Sequence, residues 1–288
     1  MASLKEIKSR IQSVKSTQKI TSAMKMVSSA KLRKAQKTIE NLFPYEQKLN
    51  GLLNNFLSAE GDNVSVYAET REIKRVAIVV FSSNSSLCGS FNTNVSKKLS
   101  KTIEKYKSLG IDNVLIYPIG KKVTKASRKL GYEPQSNYDL MAEKPNYTVA
   151  STLADDIMSL FRNKDIDCVE LIYNHFKSKS TQEMIEETFL PIQLKPAEKG
   201  TVALDYIVEP DSETIIAELI PKVLRLKIYT ALLDSNASEH AARTMAMQTA
   251  TDNASDLLQD LSLQYNKSRQ QAITNELLDI IGGSFGQN

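Results

Sequence analysis

The chain has 288 residues, of which 41% are hydrophobic, enough for a packed core in one large domain or two small ones. It contains only two cysteines and two histidines and no apolar run of about 18 residues, which argues against a disulfide framework, a metal site and a membrane span. The net charge of +4 is uneven: residues 1–57 hold 11 Lys and Arg against 3 Asp and Glu, or +8, whereas residues 212–288 hold 6 against 9, or −3. The basic end could be a nucleic-acid arm, a targeting peptide or one helix of an assembly with acidic partners.

Residues 1–57 form the first predicted segment, a long helix that begins near residue 4. From Ile7 to Leu42, the positions of one helix face recur at alternating spacings of four and three, the heptad pattern of a coiled coil. This pattern continues far beyond the length of a cleaved targeting peptide, so we favour a helix that stays in the protein. From Gln18 to Ser28 the heptad positions are polar, whereas Ile20, Met24 and Val27 place an apolar edge elsewhere on the helix. The polar stretch fits a locally weak coil, or a shaft whose outer surface contacts other proteins.

A polar linker at 58–70 precedes the second predicted segment, an α/β domain over residues 70–208. Its predicted strands are 75–81, 113–119, 168–173 and 183–193, and its predicted helices are 92–109, 121–130 and 149–161. This order predicts a Rossmann-like domain with a mostly parallel sheet and helices on both faces. We expect Glu183, Glu186 and Glu187 to be a solvated strand edge.

A second long helix is predicted from residue 211 onward, as the third segment, 211–288, with heptad spacing over more than seven heptads. Two heptad patterns in one chain pair most simply with each other, so the fold class is an antiparallel coiled coil of the terminal helices with an α/β domain between them. If residue 57 lies near 212, level positions have numbers that add to about 269. The C-terminal helix is the longer, and its tip leaves these apolar side chains uncovered: Ile273, Leu277, Leu278, Ile280 and Ile281.

No set of catalytic residues is apparent in the sequence. The Ser-rich loop from Ser82 to Ser90 lies between a strand and a helix, where phosphate groups often bind, but it has neither a glycine-rich fingerprint nor a Lys or Arg. Cys88 has no neighbouring histidine that would make it a nucleophile. His175 and His240 are expected to be packing or hydrogen-bonding residues. We therefore predict no cofactor and no metal.

Three stretches carry a resemblance to a known family. They are Gln18–Val27 (QKITSAMKMV), Ala241–Ala254 (AARTMAMQTATDNA) and Tyr265–Gly283 (YNKSRQQAITNELLDIIGG). These motifs resemble those of the γ subunit of F-type ATP synthases, as do Leu87–Gly89 and Asp205–Asp211, and the match spans essentially the whole chain. Ser85 and Ser86 stand where the family usually has a basic residue and Gly, and Gly283 where Ala is usual. The Cys-bearing insertion of the chloroplast type is absent, and the chain begins directly at the helix, which we expect of a bacterial subunit rather than a mitochondrial precursor.

The resemblance implies a rotor shaft without catalytic activity of its own. The coiled coil would turn inside a hexameric ring of α and β subunits, and the α/β domain would rest on the membrane ring of c subunits beside the ε subunit. The chain would then be a peripheral protein on the cytoplasmic face of the bacterial membrane, with no bound nucleotide, no nucleic acid and no membrane insertion. The implied partner contacts are Met24 and Lys25 with β subunits, Arg269, Gln270, Ile273 and Leu277 with a surrounding collar, and Leu87, Cys88, Gly89, Tyr206 and Glu209 in the foot.

Two other classes of function remain open from the residues alone. A stand-alone α/β enzyme with helical dimerisation arms predicts activity in the isolated chain. A basic coiled coil that binds nucleic acid predicts DNA binding with a steep salt dependence. Co-purification of the chain with α and β subunits would distinguish the shaft from both.

Overall fold

The computed structural model describes residues 3–60, 65–192, 209 and 211–285. Along the chain, one long helix precedes the strands and a second long helix follows them. The elements are α1 (Leu4–Glu60), β1 (Val76–Phe81), α2 (Phe91–Lys105), β2 (Val114–Ile119), α3 (Lys121–Lys129), α4 (Asp139–Glu143), α5 (Tyr147–Arg162), β3 (Cys168–Phe176), β4 (Gln182–Leu190) and α6 (Ser212–Phe285). Short 3₁₀ turns occupy Val66–Ala68, Lys107–Leu109 and Ile111–Asn113. None of the described helices is both long enough and apolar enough to cross a bilayer.

The chain divides into two compact units, to which both long helices contribute. The helix-pair unit comprises Met1–Ser28 and Thr244–Asn288, and the sheet unit comprises Ser29–Arg243. The predicted boundaries at 57, 70, 208 and 211 stay a prediction, and residues 193–208 lie outside the described part of the chain. The predicted fold class, an α/β sheet with long terminal helices, is confirmed.

The sheet has the strand order β2-β1-β3-β4, and its first three strands are parallel. Every residue of β1 is buried, because helices cover both faces of the sheet and a continuous apolar strand suits such a position. One face packs on α5 and on apolar residues of both long helices, including Leu53 and Ile220. The other face packs on α2 and α3, through residues such as Leu99 and Val123.

Strand β4 pairs antiparallel with β3 and forms one edge of the sheet. Glu183 is exposed, as predicted for a solvated edge, whereas Glu186 and Glu187 are partly buried and paired with lysines. Glu186 forms salt bridges with the ammonium groups of Lys98 and Lys105 and accepts a hydrogen bond from the Thr102 hydroxyl. Burial acts to raise the pKa of Glu186, but these three donors outweigh it and lower the pKa to about 2.

Within the sheet unit, the two long helices contact each other through small and branched side chains. Leu32 and Ala35 of α1 pack against Ala237 and Ala241 of α6, where alanines allow a close approach. The residue numbers that lie level therefore add to about 272 or 273, not 269 as predicted. The prediction took residue 57 as the end of α1, whereas the helix continues to Glu60. Pro44 and Pro221 both lie inside the long helices, which continue through them.

Candidate functional site

The polar seam of the helix-pair unit is hydrogen-bonded within the chain. The hydroxyl oxygens of Thr21 and Thr251 lie 2.8 Å apart. Gln18 Nε2 donates to Ser255 Oγ at 2.8 Å. Lys25 Nζ donates to Gln248 Oε1 at 2.9 Å. Because Gln18, Thr21 and Lys25 each have a partner across the seam, the polar stretch does not by itself indicate an enclosing protein.

The outer surface of this unit carries the apolar side chains that the seam lacks. Ile20 is 59% exposed and Val27 is 57% exposed, and Met24 lies half-buried between them on one helical stripe. Lys25 is also half-buried, and its ammonium is bound to Gln248. Of the two residues predicted to contact β subunits, Met24 belongs to the outward apolar stripe, whereas the Lys25 charge is held across the seam.

The end of α6 forms a second apolar surface. If the register of the polar seam continues, Leu4 is level with about residue 269, so α6 beyond that point has no α1 residue opposite it. Arg269 and Gln270 are exposed, and Ile273 and Leu277 follow at one- and two-turn spacings with about half of their surfaces in solvent. Leu278, Ile280 and Ile281 are exposed as well, so the predicted uncovered tip is confirmed. Its contact with another chain stays a prediction.

The Ser-rich loop between β1 and α2 folds back on its own polar groups. The Ser83 amide donates to Asn92 Oδ1 at 3.2 Å, and Asn92 Nδ2 donates to Cys88 Sγ at 3.0 Å. Leu87 and Gly89 both have positive φ, which turns Leu87 into solvent and Cys88 into the core. The Cys88 side chain therefore shapes the loop rather than presenting a contact surface. Of this motif, Leu87 carries the exposed side chain.

A buried ion pair on α6 holds the same loop. Arg243 Nη1 donates to Glu239 Oε1 at 2.6 Å, while Nη2 donates to Ser85 Oγ at 2.7 Å and to the Ser86 carbonyl at 3.4 Å. Burial raises the pKa of Glu239, and the Arg243 charge opposes this rise. Burial also lowers the pKa of neighbouring His240 to about 4, with Arg243 adding to the effect, so this histidine is neutral at pH 7. Sequence reasoning noted Ser85 and Ser86 but missed their partner, which lies more than 150 residues away.

The other predicted residues fall outside these clusters. Glu209 is exposed, and Tyr206 lies outside the described residues. His175 is hydrogen-bonded to Asp234, as expected for a histidine with a structural role. Over residues 3–60, 65–192, 209 and 211–285, no group of three or more His, Cys, Asp or Glu side chains is arranged to hold a metal ion.

Comparison with known proteins decides the family. A family model described as ATP synthase matches residues 3–285. A protein of Phocaeicola vulgatus named ATP synthase gamma chain is 60% identical, over 99% of this chain and 100% of the relative. The chain belongs to the ATP synthase gamma chain family. A gamma chain of Bacteroides fragilis is 61% identical over the same shares of the two chains, so the resemblance found in the sequence is confirmed.

Solved structures share the fold of this family member. A chain of the Euglena gracilis mitochondrial ATP synthase matches with a TM-score of 0.67 at 19% identity, covering 98% of this chain and 94% of that one. A chain from the rotor of the same enzyme matches with a TM-score of 0.65 at 20% identity, covering 94% and 98%. At these identities the likeness concerns the fold.

Proposed function

We propose that this chain is the central rotor shaft of an F-type ATP synthase. The observation that carries the proposal is the uncovered apolar tip of α6, in a chain that belongs to the gamma chain family. Full burial of a side chain such as Ile273 or Leu277 is worth about 1.5–3 kcal/mol, so the stripe favours an apolar collar supplied by other chains. The ring of α and β subunits supplies that collar, and the outward stripe around Met24 contacts the β subunits.

The sheet unit is the foot of the shaft in this proposal. It rests on the ring of c subunits beside the ε subunit, and Leu87 is its exposed candidate contact in the loop after β1. Ion flow turns the c ring and the foot together, and the long helices carry that torque to the α and β subunits. The chain is then a peripheral protein on the cytoplasmic face of the membrane.

The chain itself is not catalytic in this account, and the nucleotide chemistry belongs to the β subunits. Two local observations support this role. In the loop after β1, Ser83 is hydrogen-bonded to Asn92, and Ser85 and Ser86 accept hydrogen bonds from Arg243, so these groups are already paired. The described histidines serve local structure, since His175 is bonded to Asp234 and His240 is buried beside Arg243.

Co-expression with α and β subunits tests the proposal. The chain should purify in a stable complex with α and β subunits, and ATP hydrolysis should require the complex rather than the isolated chain. A matched pair of variants sharpens the test: I273S/L277S removes two apolar side chains from the tip, and T274S/N275S changes the polar positions between them. The first variant should weaken the complex and the second should not. Failure to form a complex, or full ATPase activity of the isolated chain, would disprove the proposal.

A further inference from the structure

The sheet unit contains a cavity that has no part in the function proposed above. It has a volume of about 340 Å³ and lies between α1, the end of β3 and α6. Ile39 and Phe43 of α1 and Phe176 of β3 form apolar walls. A cavity of about 150 Å³ is enough for benzene, and small-molecule sites begin at about 300 Å³, so this one has room for one ring and a short chain.

The charged groups around the cavity are mostly carboxylates. On α1, Glu40 and Glu46 line it, and on α6, Asp234 and Lys227 do so. The Nδ1 atom of His175, on β3, lies 2.7 Å from the Oδ2 atom of Asp234. Lys227 Nζ lies 2.9 Å from Glu187 Oε1 on β4, so its charge is already shared with a carboxylate outside the cavity.

This arrangement leaves the cavity short of positive charge. Three lining carboxylates, Glu40, Glu46 and Asp234, face one lysine and one histidine, and the lysine is also paired with Glu187 outside the cavity. Burial raises the pKa of Glu46 despite Lys227, and it raises the pKa of Asp234 despite His175. A second cation placed here would therefore gain attraction, whereas an anion would meet repulsion.

The walls select the kind of cation. Phe43, Tyr173 and Phe176 offer aromatic surface around the carboxylates, and aromatic rings attract organic ammonium ions through their faces. A fully hydrated metal ion would gain nothing from these walls. We propose that the cavity binds a small organic ammonium ion with one aromatic ring or a short alkyl group. The ammonium pairs with Glu46 and Asp234, and the apolar part lies against Phe43 and Phe176.

Calorimetric titration of the full-length chain at pH 7.5 tests this site. The probes are phenethylamine and phenethyl alcohol, which have the same ring and differ in the charged group. The amine should bind at least about tenfold more tightly than the alcohol, which corresponds to about 1.4 kcal/mol. Equal affinity, or no heat from the amine, would overturn the proposal.

Three variants locate the binding. Glu46→Gln should weaken amine binding roughly tenfold, since it removes a charge without changing the size of the side chain. Phe43→Ala should weaken both probes, because it removes an exposed aromatic wall. Glu218→Gln, an exposed α6 carboxylate paired with Lys222, is the control and should bind like the unsubstituted chain. Each variant is checked for its native circular dichroism spectrum, and unchanged amine affinity in folded Glu46→Gln would overturn the proposal.

Discussion

The buried pair of Arg243 and Glu239 makes a sharp prediction for stability. Both side chains are 9% exposed, and the guanidinium also binds Ser85 and Ser86. Arg243→Met keeps an unbranched apolar stem but leaves the Glu239 carboxylate buried without its cation. Breaking a buried pair from one side costs about 3–5 kcal/mol, so we expect a loss of that size in the free energy of unfolding.

The loss should depend on pH in a defined direction. Burial already raises the pKa of Glu239 above its unfolded value, and Arg243 is the main group that opposes this rise. Without Arg243 the pKa rises further. A group with a raised folded pKa favours the native state below its unfolded pKa and loses that contribution as pH increases through the folded value. Arg243→Met should therefore be less destabilising at pH 5 than at pH 7.5.

Urea unfolding of the full chain, followed by circular dichroism at both pH values, measures the effect. The double variant E239Q/R243M removes both charges and should recover much of the loss. Arg225→Met provides the control, because Arg225 forms a partly exposed pair with Asp155 and should cost only about 0–1 kcal/mol. A loss below about 1 kcal/mol for Arg243→Met at pH 7.5, or a double variant no better than the single one, would refute the reasoning.

Three further predictions concern the shaft and the sheet. Met24→Glu should lower proton-driven ATP synthesis in membrane vesicles at normal complex yield, because it places a charge on the outward apolar stripe; an unchanged rate would contradict the role of that stripe. Glu186→Gln should lower the free energy of unfolding at pH 7 and should flatten the loss of stability between about pH 4.5 and 2, measured by circular dichroism. The reason is that a carboxylate with a lowered folded pKa stabilises the native state above its unfolded pKa, and this contribution is lost as the pH falls through the folded pKa. An acid profile like that of the unsubstituted chain would argue against this. Amide hydrogen exchange at residues 14–30 should be faster than in β1 in the free chain and should slow when α and β subunits are added; strong protection in both states would show that the helix pair needs no partner.

Local sequence patterns predicted the elements with a strong periodic signal. The predicted strand 75–81 is observed as Val76–Phe81, because a short continuous apolar run is typical of a strand covered on both faces. Helix α4 was not predicted, since its five residues are too few for a periodic pattern. The antiparallel direction of β4 was also not predicted, although its alternating sequence is typical of a half-exposed edge strand.

The site was predictable only where it depends on the heptad patterns of the two long helices. The exposed tip followed from the unequal lengths of the two heptad patterns. By contrast, the Arg243 contact with Ser85 joins residues that only the tertiary fold brings together, and no spacing in the sequence indicates it. The cavity around Glu46 and Asp234 was missed for the same reason, because α1, β3 and α6 each contribute separate residues.

Rotation of the chain inside the complex is the most direct test of the central claim. Cys88 and Cys168 are both buried, so a single exposed cysteine introduced by Ser108→Cys can be labelled selectively with a bead. With α and β subunits fixed to a surface, the account predicts that the bead turns steadily in one direction when ATP is added and stops when ATP is removed. A bead that stays still while the same complexes hydrolyse ATP at their full rate would contradict it.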